Sequence, residues 1–365
     1  MSTKERFHIL DVFRGIFASF VFLFHLRPFA KGSIIDNVFV SNSDLFVDFF
    51  FILSGFVIAM NYSDLNTTSE IKQFLKKRFL RIYPLHLVML LIFVLIKLVK
   101  GSLSSFVHVN NLNDVENNLG SFFSSLFLLH STPILNSAAV SWNIPSWSIS
   151  AEMIAYLVFA LFMLLSVSKI SKSSRSLIPY VILITSTGLL VYFTKSMRID
   201  YTFDYGFLRG IIGFYVGIIT YYTYNFLNRN GIRNLGSTVL SICELIVIGV
   251  VIISIVYANQ FKSFGLFYEL IFSVCILVFT FEGGIVSQLL GKSQFLKNLG
   301  KYSYSIYMTH ALMISLFNIV FIRLLKFPES SYSYLFILNF IIIYFTSAWT
   351  YKHIEMAFYH PKKKP

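Results

Sequence analysis

The sequence predicts an all-α polytopic integral membrane protein of about ten transmembrane helices with both termini cytosolic, and three observations predict it. Of 365 residues, 56% are hydrophobic and only 13% charged, about half the charged share of an ordinary soluble domain. Such a chain cannot clothe its surface in polar groups, so hydrocarbon must be part of its solvent; its mean hydropathy is +0.70. Ten apolar runs follow one another, each close to the roughly 20 residues a helix needs to cross about 30 Å of hydrocarbon. Finally, Lys and Arg are unevenly shared between alternate connections, 19 on the side of the N-terminus against 10 on the other, and the richer side is the inner one.

In chain order the runs lie near 8-27, 45-62, 79-99, 150-168, 177-194, 207-226, 238-257, 264-281, 302-322 and 333-351. The first has a basic start like a signal peptide, but Arg14 interrupts it and no small-residue cleavage site closes it, so it is expected to remain as a helix. Between the third and fourth runs, residues 101-149 are rich in Ser and Asn and hold no Lys or Arg, as suits an outer loop. Within that loop Ser121 to Leu129, ended by His130 and Pro133, is too brief to cross and is expected to be re-entrant or interfacial. The whole of 1-365 is expected to be one transmembrane domain, with no fused soluble domain and no repeat of fixed period.

Composition also excludes disorder, a disulfide scaffold and a fibrous rod. Cys243 and Cys275 sit inside apolar runs, where they are expected to pack. The 41 Phe, 21 Tyr and 3 Trp suit lipid-facing helices with Tyr and Trp near their ends. The net charge of +13 is mainly a topology signal, so nucleic acid is not an expected partner and the lipid bilayer is.

An ionisable residue deep in a span costs at least about 2.5–3.5 kcal/mol on insertion scales, which makes each one a functional candidate. Arg14 and His25 are eleven residues apart in the first span. Eleven steps of about 100° return to within roughly 20° of the starting direction and rise about 16 Å, so the two share one stripe, Arg14 inward and His25 outward. A snorkelling Arg and a satisfied His would explain them equally. Asp48 enters the second span from outside at a similar depth, where it either orients His25 as a carboxylate orients a catalytic base or caps its own helix. Ser54-Gly55 suggests a close helix contact.

At the inner start of the third span Arg78 and Arg81 are three apart, a spacing suited to bidentate phosphate binding or to simple anchoring on the inner side. Ser148 and Glu152 are four apart at the outer start of the fourth span and share a face. Glu152 there would bind a sugar hydroxyl or support a base. Tyr302 to His310 forms a polar stripe in the ninth span, much of it explained by interhelical hydrogen bonds.

These residues fall into a pattern. Leu10-Asp11-Val12-Phe13-Arg14-Gly15 through Phe24-His25 resembles the opening of the membrane acyltransferase-3 family, whose hallmark is an Arg and a His separated by ten residues. Phe50 to Phe56, Arg78 to Pro84 and Trp147 to Glu152 resemble its next motifs in order, and Leu299 to His310 its late motif. The likeness covers nearly the whole chain, with two departures. Val12 stands for a usual Gly, and Ala357 for the Pro of the closing Ile-Glu-x-Pro-Phe motif, here Ile354 to Phe358.

The resemblance implies an O-acyltransferase of a multi-pass bacterial cytoplasmic membrane. It would move an acyl group, most often acetyl, from cytosolic acyl-coenzyme A to a hydroxyl of a surface or exported carbohydrate. On this basis Arg14, Arg78 and Arg81 hold the phosphates of acetyl-CoA, and His25, Asp48 and Glu152 form the catalytic set. Trp147, Ser148, Ser150 and His310 contact the acceptor. No metal is expected. Whether His25 is a general base or carries the acyl group itself stays open. A polysaccharide or solute exporter is the alternative, since it too would bury charges among ten helices, although no pair of broken spans suggests an inverted repeat.

Overall fold

Each of the ten apolar runs folds as a helix in the computed structural model, which describes residues 6–103, 115–134, 141–169, 176–232 and 235–359. In order these are α1 (His8–Leu26), α2 (Phe46–Tyr62), α3 (Thr68–Leu103), α4 (Trp147–Lys169), α5 (Ile178–Thr194), α6 (Gly206–Arg229), α7 (Ser237–Val256), α8 (Phe267–Phe279), α9 (Ser303–Phe317) and α10 (Tyr332–Thr350). No strand occurs among the described residues. Seven of the helices, α1 to α4, α7, α9 and α10, are long and apolar enough to cross a membrane. The other three expected spans differ in kind. α5 has 17 residues and α8 only 13, the latter about 20 Å long by helical rise, and α6 runs 24 residues but carries Arg209 and several tyrosines.

α3 is longer than its apolar run. It begins at Thr68, eleven residues before the expected span, because Thr67 and Glu70 form a reciprocal cap: the Glu70 amide donates to Thr67 Oγ1 at 3.2 Å, and the Thr67 amide donates to Glu70 Oε2 at 3.0 Å. Such a box satisfies amides that a helix start otherwise leaves unpaired. The basic stretch Lys72 to Arg81 is therefore helical, and Pro84 lies inside the same helix. The expected re-entrant stretch contains a short helix, Leu119–Leu126, whose Ser121, Ser124 and Ser125 are buried. The rest of the connection includes residues 104–114 and 135–140, which lie outside the described residues, as does the basic tail at Lys362 to Lys364.

Lipid-facing and buried helices separate clearly. In its most apolar window α2 is 72% buried, whereas α3 and α10 are each 28% buried, so α2 is an axis and the other two are rim. On α3 the outward stripe is Leu91, Leu95 and Leu98, all more than half exposed, at the spacing of one helical face. α2 and α6 are the most extensively packed pair. They approach so closely that a Cβ on Gly55 would lie 1.8 Å from the Phe214 carbonyl oxygen, and one on Gly217 only 1.9 Å from that of Ile52. Small residues permit this backbone contact, which is the usual source of helix association in lipid.

Aromatic residues serve both surfaces and core: Phe226, Phe264 and Phe345 are more than half exposed, while another set is buried. Phe17 of α1 stacks on Phe46 with ring centroids 4.1 Å apart and meets the edge of Phe49 at 4.7 Å, and Phe272 of α8 joins the same cluster. All four are buried. Between helices in lipid, burial alone supplies little driving force, so interlocking rings contribute through dispersion and edge geometry instead. Cys275 is buried and Cys243 half-buried, and both are free.

Candidate active site

Helices α1, α2, α3, α4 and α9 surround a chamber of about 160 Å³, roughly ten times what one water needs and so no mere packing fault. Arg14, Arg78 and Arg81 all line it, together with Ser54, Ser148, Glu152, Tyr156 and Tyr307. Three guanidiniums from two helices thus meet in one space, and Ser148 and Glu152 share the face that their spacing predicts.

Each cation has a protein partner. Arg14 lies 3.5 Å from Asp11, one turn earlier on α1. Arg78 donates to the Tyr62 hydroxyl at 3.2 Å and lies over that ring at 5.2 Å. Arg81 pairs with Glu355, which is fully buried and also accepts from Ser305 Oγ at 2.8 Å. Glu355 comes from the π-helical turn Tyr351–Glu355 after α10, a wider turn of the kind found at functional sites. The expected pair of equivalent phosphate ligands is therefore unequal. Arg81 faces a buried carboxylate, whereas Arg78 faces the Tyr62 hydroxyl and ring.

Glu152 receives the Ser54 hydroxyl at 2.8 Å and the Tyr156 hydroxyl, both on its Oε1. It belongs to the arginine-lined chamber, and among the described residues no hydrogen bond joins it to His25. Ser54, expected to be only a packing residue, is part of this wall; its neighbour Gly55 is the packing residue.

The chamber ends against Tyr307. That hydroxyl accepts from Ser148 Oγ at 2.9 Å, and its ring lies 5.8 Å from the ring of His310, one turn further along α9. His310 in turn meets His25: His310 Nε2 is 3.2 Å from His25 Nδ1. His25 is half-buried and His310 fully buried. The Tyr307 ring thus touches both the chamber and the imidazole pair.

Asp48 does not orient His25, contrary to expectation. Its two oxygens take the Arg209 guanidinium at 2.6 and 2.9 Å, both side chains sealed from solvent. A buried carboxylate is best satisfied by a planar fork offering two donors, which imidazole cannot supply. Trp147 lies under the same guanidinium at 5.3 Å, and Ser150 donates to the Leu128 carbonyl at 2.6 Å. Neither lines the chamber; they bind α4 to its neighbours. Of the residues expected to contact the acceptor, Ser148 lines the chamber and His310 lies against His25.

Arg209 and Glu355 are not among the residues expected in the site. Both signals were available: Arg209 falls inside an expected span, and Glu355 inside the closing motif.

A profile described as an acyltransferase domain matches residues 7–351, nearly the whole chain. The chain belongs to the membrane acyltransferase-3 family. Membership in this family makes it an O-acyltransferase. Protein 2 in the picA locus of Rhizobium radiobacter is 31% identical over 166 residues, covering 44% of this chain and 83% of that protein. Acyltransferase MdmB of Streptomyces mycarofaciens is 34% identical over 118 residues, 32% of this chain and 27% of that protein. No solved structure matches the chain.

Proposed function

We propose that this acyltransferase carries an acyl group, acetyl in the first instance, from acyl-coenzyme A to a hydroxyl of a cell-surface or exported carbohydrate. It does so across a bacterial cytoplasmic membrane that the chain crosses ten times, with both termini in the cytosol. The observation that supports this most is the disposition of α1, which brings Arg14 to the arginine-lined chamber and His25 to the imidazole pair, about 16 Å further along by helical rise.

In this proposal the donor phosphates are held at the inner end by Arg14 and Arg78, with Arg81 set by Glu355. The thioester arm follows α1 past Ser148 and Tyr307. His25 Nε2 removes the acceptor hydroxyl's proton as that oxygen attacks the thioester carbonyl carbon. The C–S bond then breaks, the leaving sulfur takes the proton from His25, and the imidazole returns to its neutral form with coenzyme A released as the thiol. Glu152 and Ser148 line the passage of the arm, and Asp48 acts structurally through Arg209. No step calls for a metal.

Transfer of labelled acetyl from acetyl-coenzyme A to surface glycan in membranes tests this. His25→Ala is expected to abolish transfer at an unchanged membrane level of protein. Wild-type turnover by that variant overturns the proposal.

A further inference from the structure

The hydrogen bonds around His25 admit one consistent assignment of protons. Val21 O lies 2.9 Å from His25 Nδ1, and a carbonyl oxygen can only accept, so Nδ1 carries the hydrogen. By the same logic the Ile306 carbonyl, 3.3 Å from His310 Nδ1, places that ring's hydrogen on Nδ1 and leaves its Nε2 with a lone pair. The 3.2 Å contact between His310 Nε2 and His25 Nδ1 is then the longer branch of a three-centre hydrogen bond, the single Nδ1 hydrogen of His25 being shared between Val21 O and His310 Nε2. The reverse arrangement would set a bare Nδ1 against a carbonyl oxygen on both rings.

We propose that His310 is a positioning residue for His25, accepting its Nδ1–H so that Nε2 is the unprotonated atom presented to the acceptor hydroxyl. This rests on His25 being the base of the acyl transfer proposed above. His310 thereby fills the place expected of Asp48, and it does so without adding a buried negative charge. Its own position is held from behind. Thr309 Oγ1 lies 3.1 Å from Ser347 Oγ on α10, and Ser305 on the preceding turn is bonded to Glu355, so α9 presents the ring on a fixed element. When His25 takes the acceptor's proton it becomes a cation inside an apolar span, a costly state. Its Nδ1–H then faces two acceptors, Val21 O and His310 Nε2, which disperse the charge until the leaving sulfur removes the proton from Nε2.

The test uses the purified full-length protein, with acetyl-coenzyme A and an acceptor glycan. A general base contributes about 10²- to 10⁴-fold, and loss of its partner is expected to remove part of that. His310→Leu should lower kcat by about 10- to 100-fold with both KM values unchanged. His310→Gln, whose Oε1 can stand where Nε2 stood, should recover most of the loss. In the wild-type protein, ¹⁵N NMR of His25 above its titration should show Nδ1 protonated and Nε2 bare, which holds independently of whether the leucine variant folds. Wild-type kcat in His310→Leu, a glutamine variant no more active than the leucine one, or a protonated Nε2 on neutral His25 would each overturn the assignment. If His25→Ala itself turns over normally, it is the acyl-transfer role of His25 that fails; if His25→Ala is inactive and His310→Leu is not, only the positioning role fails.

Discussion

Asp48 and Arg209 close a two-pronged ion pair, 2.6 and 2.9 Å, among apolar helices, and this kind of contact distinguishes structure from chemistry at the residue scale. Breaking a buried pair by removing one partner costs about 3–5 kcal/mol, whereas replacing both with apolar groups is often neutral. Asp48→Ala is expected to lower thermal stability in detergent sharply, and Asp48→Leu with Arg209→Met to restore much of it. An Asp48→Ala protein as stable as wild type but inactive would return Asp48 to the catalytic set. The same reasoning separates the three chamber arginines. Arg81→Ala leaves Glu355 buried without its cation and should be seen first as instability, while Arg14→Ala and Arg78→Ala should raise the apparent KM for acyl-coenzyme A with acceptor saturating. A donor KM unchanged from wild type in all three variants would make these residues topology anchors only. The cost of an arginine inside a span made Arg14 a candidate, but that Arg14, Arg78 and Arg81 act together was legible only through the family resemblance. The partner of Asp48 was not legible. Position along a span gives depth, which Asp48 and His25 share, but not the direction in which a side chain leaves its helix relative to the neighbouring helices.

Helices were legible wherever the apolar run and the hydrogen-bonded helix coincide, as in α2 and α7. They were less so where a helix outruns its apolar stretch. The start of α3 at Thr68 was still written in the sequence, as Thr67 three residues before Glu70. The contact between α2 and α6 could not be foreseen, because it depends on which glycines face each other. Gly55 and Gly217 leave no room for a Cβ, while Gly249 on α7 has nothing within 4 Å of one. Gly55→Ala or Gly217→Ala should therefore greatly reduce the monodisperse peak in fluorescence-detected size-exclusion chromatography, and Gly249→Ala should leave it unchanged. Normal elution of both α2–α6 variants would mean that this contact does not set the fold.

At the scale of the whole molecule, charge and site geometry point the same way. The connections on the side of the N-terminus carry 19 of the Lys and Arg residues against 10 on the other. The chamber with Arg14, Arg78 and Arg81 lies toward the charge-rich ends of α1 and α3, and the His25–His310 pair toward the other end of α1. On the proposed function, the donor enters from one face and the acceptor is served at the other. The decisive measurement is sidedness in vesicles of defined orientation, with acyl-coenzyme A and acceptor glycan supplied to chosen faces. Acyl-coenzyme A should be usable only from the face bearing the N-terminus and the Lys72 to Arg81 end of α3, with acylated glycan appearing on the opposite face. Donor use and product on the same face would contradict delivery across the membrane along α1.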